Sequence, residues 1–170
     1  DINRGMNDKS IYGDILVSMT NREAIDKNLI VQPKLHFIQC GESYSYNELT
    51  LNQKVELVIN SFNNHKRQID SESYDKTKQG AKLLFTLNNQ KDIMKIMTNE
   101  KFIEYCSMWG IKTLGVCSDH KYIDGEEVNA NDIEKGIASV NNKDDMILFH
   151  IRMLSEGIDI PSLTGVAVIS

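Results

Sequence analysis

Apolar residues along this 170-residue chain fall into two kinds of run, short unbroken blocks and stripes that recur every three or four positions. The blocks are "AKLLFTL", "IKTLGVCS", "DDMILFHI" and "TGVAVIS", preceded by "KLHFIQC" after the break that Pro33 puts in "LIVQPKLHFIQC". Apolar blocks without alternation predict strands buried on both faces. The stripes predict helices. Over residues 50–70, Leu51, Val55, Val58, Ile59 and Phe62 share a face, which leaves Lys54, Glu56, Asn60 and Lys66 to solvent. A second helix starts at "NNQ" and carries Ile93, Met94, Ile96 and Met97. Asn99 caps a third, with Phe102, Ile103, Cys106 and Trp109 inward and Gly110 as its stop. Asn131 with Glu134 caps a fourth, which carries Ile133, Ile137 and Val140.

Local signals fill in the remainder. Thr20 with Glu23, and Thr50 with Gln53, have the spacing of a capping box. "TNREAIDKN" therefore reads as a short helix, ended by Asn28 in the left-handed conformation. "YGDILVSM" suits a short strand or extended arm, and the first ten residues a loose lead-in. "DSESYDKTKQG" reads as a loop, and "DHKYIDGEEVNA" as a polar, irregular segment. The order strand–helix–strand–helix–strand–helix–strand–loop–strand predicts an open, doubly wound α/β domain. It would have a mainly parallel sheet of roughly five strands, helices on both faces, and functional loops at the carboxyl ends of the strands.

Composition narrows the function. A net charge of −5 gives no basic footprint for strong stand-alone binding to nucleic acid, although neutral donors can still contact phosphates. Cys40, Cys106 and Cys117 lack metal-type spacing and read as reduced, buried thiols of a cytoplasmic protein. No apolar run is long enough to span a membrane, and no signal segment opens the chain. The start at Asp1 and the stop just after an apolar block suggest a piece of something larger.

Three loops after predicted strands collect Thr86, Asn88, Asn89, Ser118, Asp119, His120, Arg152, Ser155, Glu156 and Asp159. Singly, most have a plain structural reading. Asn88 or Asn89 would cap a helix, Asp119 and His120 would be solvated loop residues, and Gly157 would make a tight turn. His36, His65 and His150 look like strand or helix-surface positions, too scattered for a metal site. Ser155, Glu156, Gly157, Asp159 and Pro161 together, directly after a buried strand, exceed what a turn needs. The chain has no G-x-x-x-x-G-K-[ST] loop, no G-x-G-x-x-G and no nucleophile elbow. "DGEE" lacks the ligand spacing of a calcium loop.

"MILFHIRMLSEGIDIPSL" resembles motif V of superfamily 2 helicases and translocases, closest to the restriction-enzyme-type, DEAD/DEAH-like DNA helicases. "AKLLFTLNNQKDIMKIM" resembles their motif IV, and "YGDILVSMTNREAIDKNLIVQPKLHFIQ" the segment that links their two RecA-like domains. The resemblance implies a lead-in and interdomain connection over residues 1–33 and a second RecA-like domain over 34–170, truncated before motif VI. It implies nucleic-acid backbone contacts from Thr86, Asn88, Ser118 and Ser155, and a nucleotide contact from Gly157 and Asp159. Glu156 and Pro161 fit the pattern as support. ATP and magnesium would be bound mainly by the absent first domain, so this chain alone is expected to be inactive and to hold no cofactor tightly. The implied partners are DNA rather than RNA, the first RecA-like domain of the same chain, and a nuclease or methyltransferase, with no membrane. The alternative is a non-catalytic α/β module that uses the same polar edge to bind a protein or a phosphate ligand.

Overall fold

The computed structural model describes residues 19–27, 29, 45–72, 79–151 and 163–169. The chain divides into two compact units, residues 1–37 and 38–170. In the first unit, helix α1 (Asn21–Asp26) opens on the capping box that its sequence encodes. Thr20 Oγ1 accepts from Glu23 N at 3.2 Å, and Glu23 Oε2 accepts from Thr20 N at 2.8 Å. Asn28 and the block "KLHFIQC" lie outside the described residues, as does all of "YGDILVSM" except Met19.

In the second unit a 3-10 turn (Tyr46–Glu48) leads to α2 (Leu51–Glu72), β1 (Lys82–Thr86), α3 (Gln90–Met97), α4 (Glu100–Trp109) and β2 (Lys112–Val116). Then come β3 (Lys121–Ile123), β4 (Glu126–Val128), α5 (Ala130–Ala138), β5 (Met146–His150) and β6 (Gly165–Val168). The sheet is open, mixed and mostly parallel, with strand order β4-β3-β2-β5-β1-β6. β2, β5, β1 and β6 run parallel, whereas β3 and β4 pair antiparallel. No helix among the described residues is long and apolar enough to cross a membrane.

The unbroken apolar blocks are buried as their pattern demands. Every residue of β5 is buried, as are four of the five in β1 and in β2. Successive strand residues face opposite sides, and the core divides accordingly. Leu83, Phe85, Ile147 and Phe149 join Val55, Val58 and Phe62 of α2, Ile93, Ile96 and Met97 of α3, and Phe102 and Cys106 of α4. Leu84, Leu114, Met146 and Leu148 join Ile133 of α5. Phe149 stacks on Phe85 with ring centroids 5.4 Å apart and meets Phe102 edge-on at 5.8 Å.

Three expectations are corrected here. "DHKYIDGEEVNA" is not irregular: it forms the β3–β4 hairpin, which raises the strand count to six among the described residues. Its two-residue turn, Asp124-Gly125, has φ of 48° and 89°. Asp-Gly tolerates this left-handed pair, and its twist matches the strands on either side. The cap of α5 is Asn129, whose side chain accepts from Asp132 N at 3.2 Å, so Asn131 lies within the first turn. Trp109 is 66% exposed rather than inward. Gly110 takes φ 62°, and Ile111 N reaches back to Cys106 O at 2.8 Å, a Schellman closure that puts Ile111 in the apolar place.

A fourth correction concerns Lys54, which is buried rather than solvated. Its Nζ donates to Asp92 Oδ2 at 2.9 Å, and both side chains are only 10% exposed. The ammonium also lies 4.4 Å from the ring centroid of Tyr46, a cation–π contact. Burial first, and the charge of Asp92 second, push the Tyr46 phenol well above its ordinary range. The pair therefore joins α2 to α3 through the apolar layer. Lys54→Met should cost about 3–5 kcal/mol, because it leaves Asp92 buried without its cation. Lys54→Met with Asp92→Leu should return to within about 1 kcal/mol of wild type. Urea unfolding of wild type and the two variants checks both, and equal losses in the single and double variants would contradict the pairing.

Candidate functional site

All four parallel strands end at one edge of the sheet. Thr86 closes β1, Val116 closes β2, and both are in register with His150, which closes β5. Neighbouring strands lie about 5 Å apart, so the ends of β1 and β2 stand about 10 Å from each other with β5 between them. Thr86 Oγ1 and His150 Nε2 are 2.7 Å apart, a hydrogen bond across the strand ends. His150 is buried and Thr86 half-buried.

This edge gathers part of the expected set. Asn88 follows β1 and is exposed, and Ser118 follows β2 and is exposed. Asn89 is a structural cap: its Oδ1 accepts from Lys91 N at 2.9 Å and opens α3. His120 belongs to the hairpin, with its Nδ1 2.6 Å from Glu127 Oε1. Asp119 is exposed beside it. Arg152, Ser155, Glu156, Gly157, Asp159 and Pro161 lie outside the described residues. Thr86, Asn88 and Ser118 thus share the carboxyl edge of the sheet, and His150 joins them there.

His150 was not among the candidate residues, although a signal for it exists. It is the polar residue that ends an apolar block, the place that Thr86 holds in β1. The amino edge has a different character. There Asp145 pairs with Lys66 and accepts from Ala81 N at 2.8 Å, while Asp144 accepts from Lys112 Nζ at 2.8 Å. Lys82 Nζ donates to Asn142 O at 3.1 Å. Those charges tie the 141–145 loop to the starts of β1 and β2.

Electrostatics fix what the carboxyl edge can do. Burial pulls the His150 pKa below its ordinary value, so the ring is neutral at neutral pH and carries one N–H. Cys117, next to Ser118, is buried, and burial raises its thiol pKa. Cys106, in the core, is pushed up to about 12 by burial and then by Asp124. Neither thiol supplies a nucleophilic thiolate. Among the described residues no group of three His, Cys, Asp or Glu is placed to hold a metal ion. The edge offers hydroxyls, an amide and a neutral imidazole, which suits contact with phosphate oxygens through neutral donors.

Two outcomes follow from these environments. With Cys40 replaced by Ser, Ellman's reagent should leave Cys106 and Cys117 unmodified in the native chain and titrate both in urea; rapid native labelling would contradict their burial. Because the His150 pKa is lowered on folding, its stabilising contribution is present above about 6.5 and is lost as pH falls below that value. Wild type should therefore lose stability on acidification faster than His150→Gln, by at most about 1.4 kcal/mol per pH unit. Parallel urea curves for the two proteins across that window would count against it. Comparison with family models, curated proteins and solved structures finds no match to this chain.

Proposed function

We propose that this chain is the second RecA-like motor domain of an ATP-dependent superfamily 2 DNA helicase or translocase, of restriction type, with a doubly wound sheet. The observation that carries the reading is the adjacency of β1 and β5. β1 lies in the segment that resembles motif IV, and β5 opens the one that resembles motif V. They are hydrogen-bonded neighbours in register, so the loops after both leave from the same sheet edge.

In this reading Thr86, Asn88 and Ser118 hold the nucleic-acid backbone through neutral hydrogen bonds. Ser155 adds a contact from the loop after β5, and Gly157 and Asp159 face the nucleotide. Bound ATP and magnesium, held mainly by the first domain, supply the phosphoryl-transfer chemistry. This chain's part is to grip the strand and to move with the loop. Its net charge of −5 fits half of a binding site, since a few phosphate contacts alone give weak, salt-sensitive binding.

Exposed Met108 and Trp109 favour a second reading, a protein-binding α/β module without catalysis. ATP hydrolysis by the full-length protein that contains this chain separates the two. DNA should stimulate hydrolysis, and Asp159→Ala should lower the stimulated rate at least about tenfold, or 1.4 kcal/mol of barrier. A folded full-length protein that hydrolyses no ATP with any nucleic acid would sink the motor reading and leave the module.

A further inference from the structure

Helix α3 shows one exposed face to solvent at Lys91 and Lys95, which stand about one turn, or about 6 Å, apart. Its one acid, Asp92, is turned inward and 7% exposed, paired there with Lys54 of α2. The buried pair thus has a surface consequence: it takes the negative charge off the outer face of α3 and leaves the positive charges on it. Beyond the end of α3 a third lysine joins them. Lys95 and Lys101 line one concavity of about 380 Å³, together with Asn52, Thr98 and Asn99. Glu100 lines it too, and is the only exposed acid from Asn88 to Lys101. Lys66, Lys112 and Lys135 each meet a carboxylate. Lys91, Lys95 and Lys101 meet none among the described residues.

We propose that Lys91, Lys95 and Lys101 form a basic track that continues the nucleic-acid site from Asn88, over the outer face of α3, into the concavity beside the start of α4, where it holds phosphates of a single strand. The inference rests on the motor reading for the identity of the ligand. Its own content is the path that the strand follows beyond the sheet edge. Continuity supports it. Asn88 and Asn89 lead straight from the end of β1 into α3, so the first lysine stands three residues after an exposed residue of the edge. Charge supports it independently. The chain carries a net charge of −5, and the hairpin end of the sheet exposes Asp119, Glu126 and Glu127 against one partly exposed lysine, Lys121. A polyanion that meets this sheet edge is repelled at the hairpin and attracted over α3.

Binding of fluorescein-labelled oligo(dT) to the chain, followed by anisotropy across a salt series from about 50 to 200 mM, tests the track. Lys91→Gln and Lys95→Gln should each weaken binding about two- to fivefold at the low-salt end, the scale of one exposed ion pair. Each should also lower the slope of log affinity against log salt by about 0.7, the share of one phosphate contact on a single strand. Lys143→Gln removes the same charge at the amino edge, where that residue is exposed, and should leave the slope unchanged. Thermal unfolding of each variant confirms that the fold is kept. Unchanged slopes in both α3 variants would overturn the track; if Asn88→Ala still weakens binding, the sheet edge and the motor reading stand without it. An equal fall in slope for Lys143→Gln would overturn it too, because the number of charges and not their place would then be acting. Polyglutamate that displaces the probe as well as unlabelled oligo(dT) of equal charge would give the track to an acidic protein segment instead. A wild-type chain that binds no oligo(dT) at low salt would also overturn the track, and DNA-stimulated ATP hydrolysis by the full-length protein would still decide the motor reading on its own.

Discussion

Met146–His150 is paired on both edges, to β1 and to β2, and buried on both faces, so its backbone groups have no water to turn to and its ladder has to be complete. That requirement sets the register of both neighbours. It brings Thr86, Val116 and His150 to the same level at one edge and Lys82 and Lys112 level with Met146 at the other. The aromatic contacts of Phe149 with Phe85 and Phe102 lock the strand to β1 and to α4. Whatever the carboxyl edge binds meets a platform whose positions derive from this core strand.

The two edges of the sheet solve different problems. At the amino edge, Asp144 and Asp145 meet Lys112 and Lys66, and a backbone carbonyl takes the buried Lys82. These contacts close on themselves and hold a loop in place. At the carboxyl edge Thr86 meets His150 through uncharged groups, and Asn88, Ser118 and Asp119 are exposed. This asymmetry makes the carboxyl edge the reasonable place for recognition, and it agrees with the general siting of ligands in open α/β sheets.

Local chemistry was legible in the sequence. Both threonine capping boxes, the Asn89 and Asn99 caps and the Gly110 stop depend on residues within a turn of one another, and each appears as its spacing implies. The misreadings have physical causes. The hairpin strands are three residues long and half charged, so no periodicity reveals them, although Asp124-Gly125 is a strong turn signal. Asn129 and Asn131 both precede an acidic residue by three, and the pattern alone cannot rank them. Lys54 stands three residues after Leu51 and four before Val58, on the apolar face; its charge pointed to solvent, and Asp92, the partner with which it is buried, is 38 residues away in the chain.

The sequence by itself determined the α/β class, the buried strands, most helix ends and the polar character of the loops that follow β1 and β2. Those properties come from the hydrophobic period and from bonds between near neighbours. The tertiary structure alone decided the strand order, the burial of the Lys54–Asp92 pair and the meeting of Thr86 with His150. The last two join residues 38 and 64 positions apart. The first exists because α2 packs against α3 and the second because β5 pairs with β1, and no local pattern carries that information.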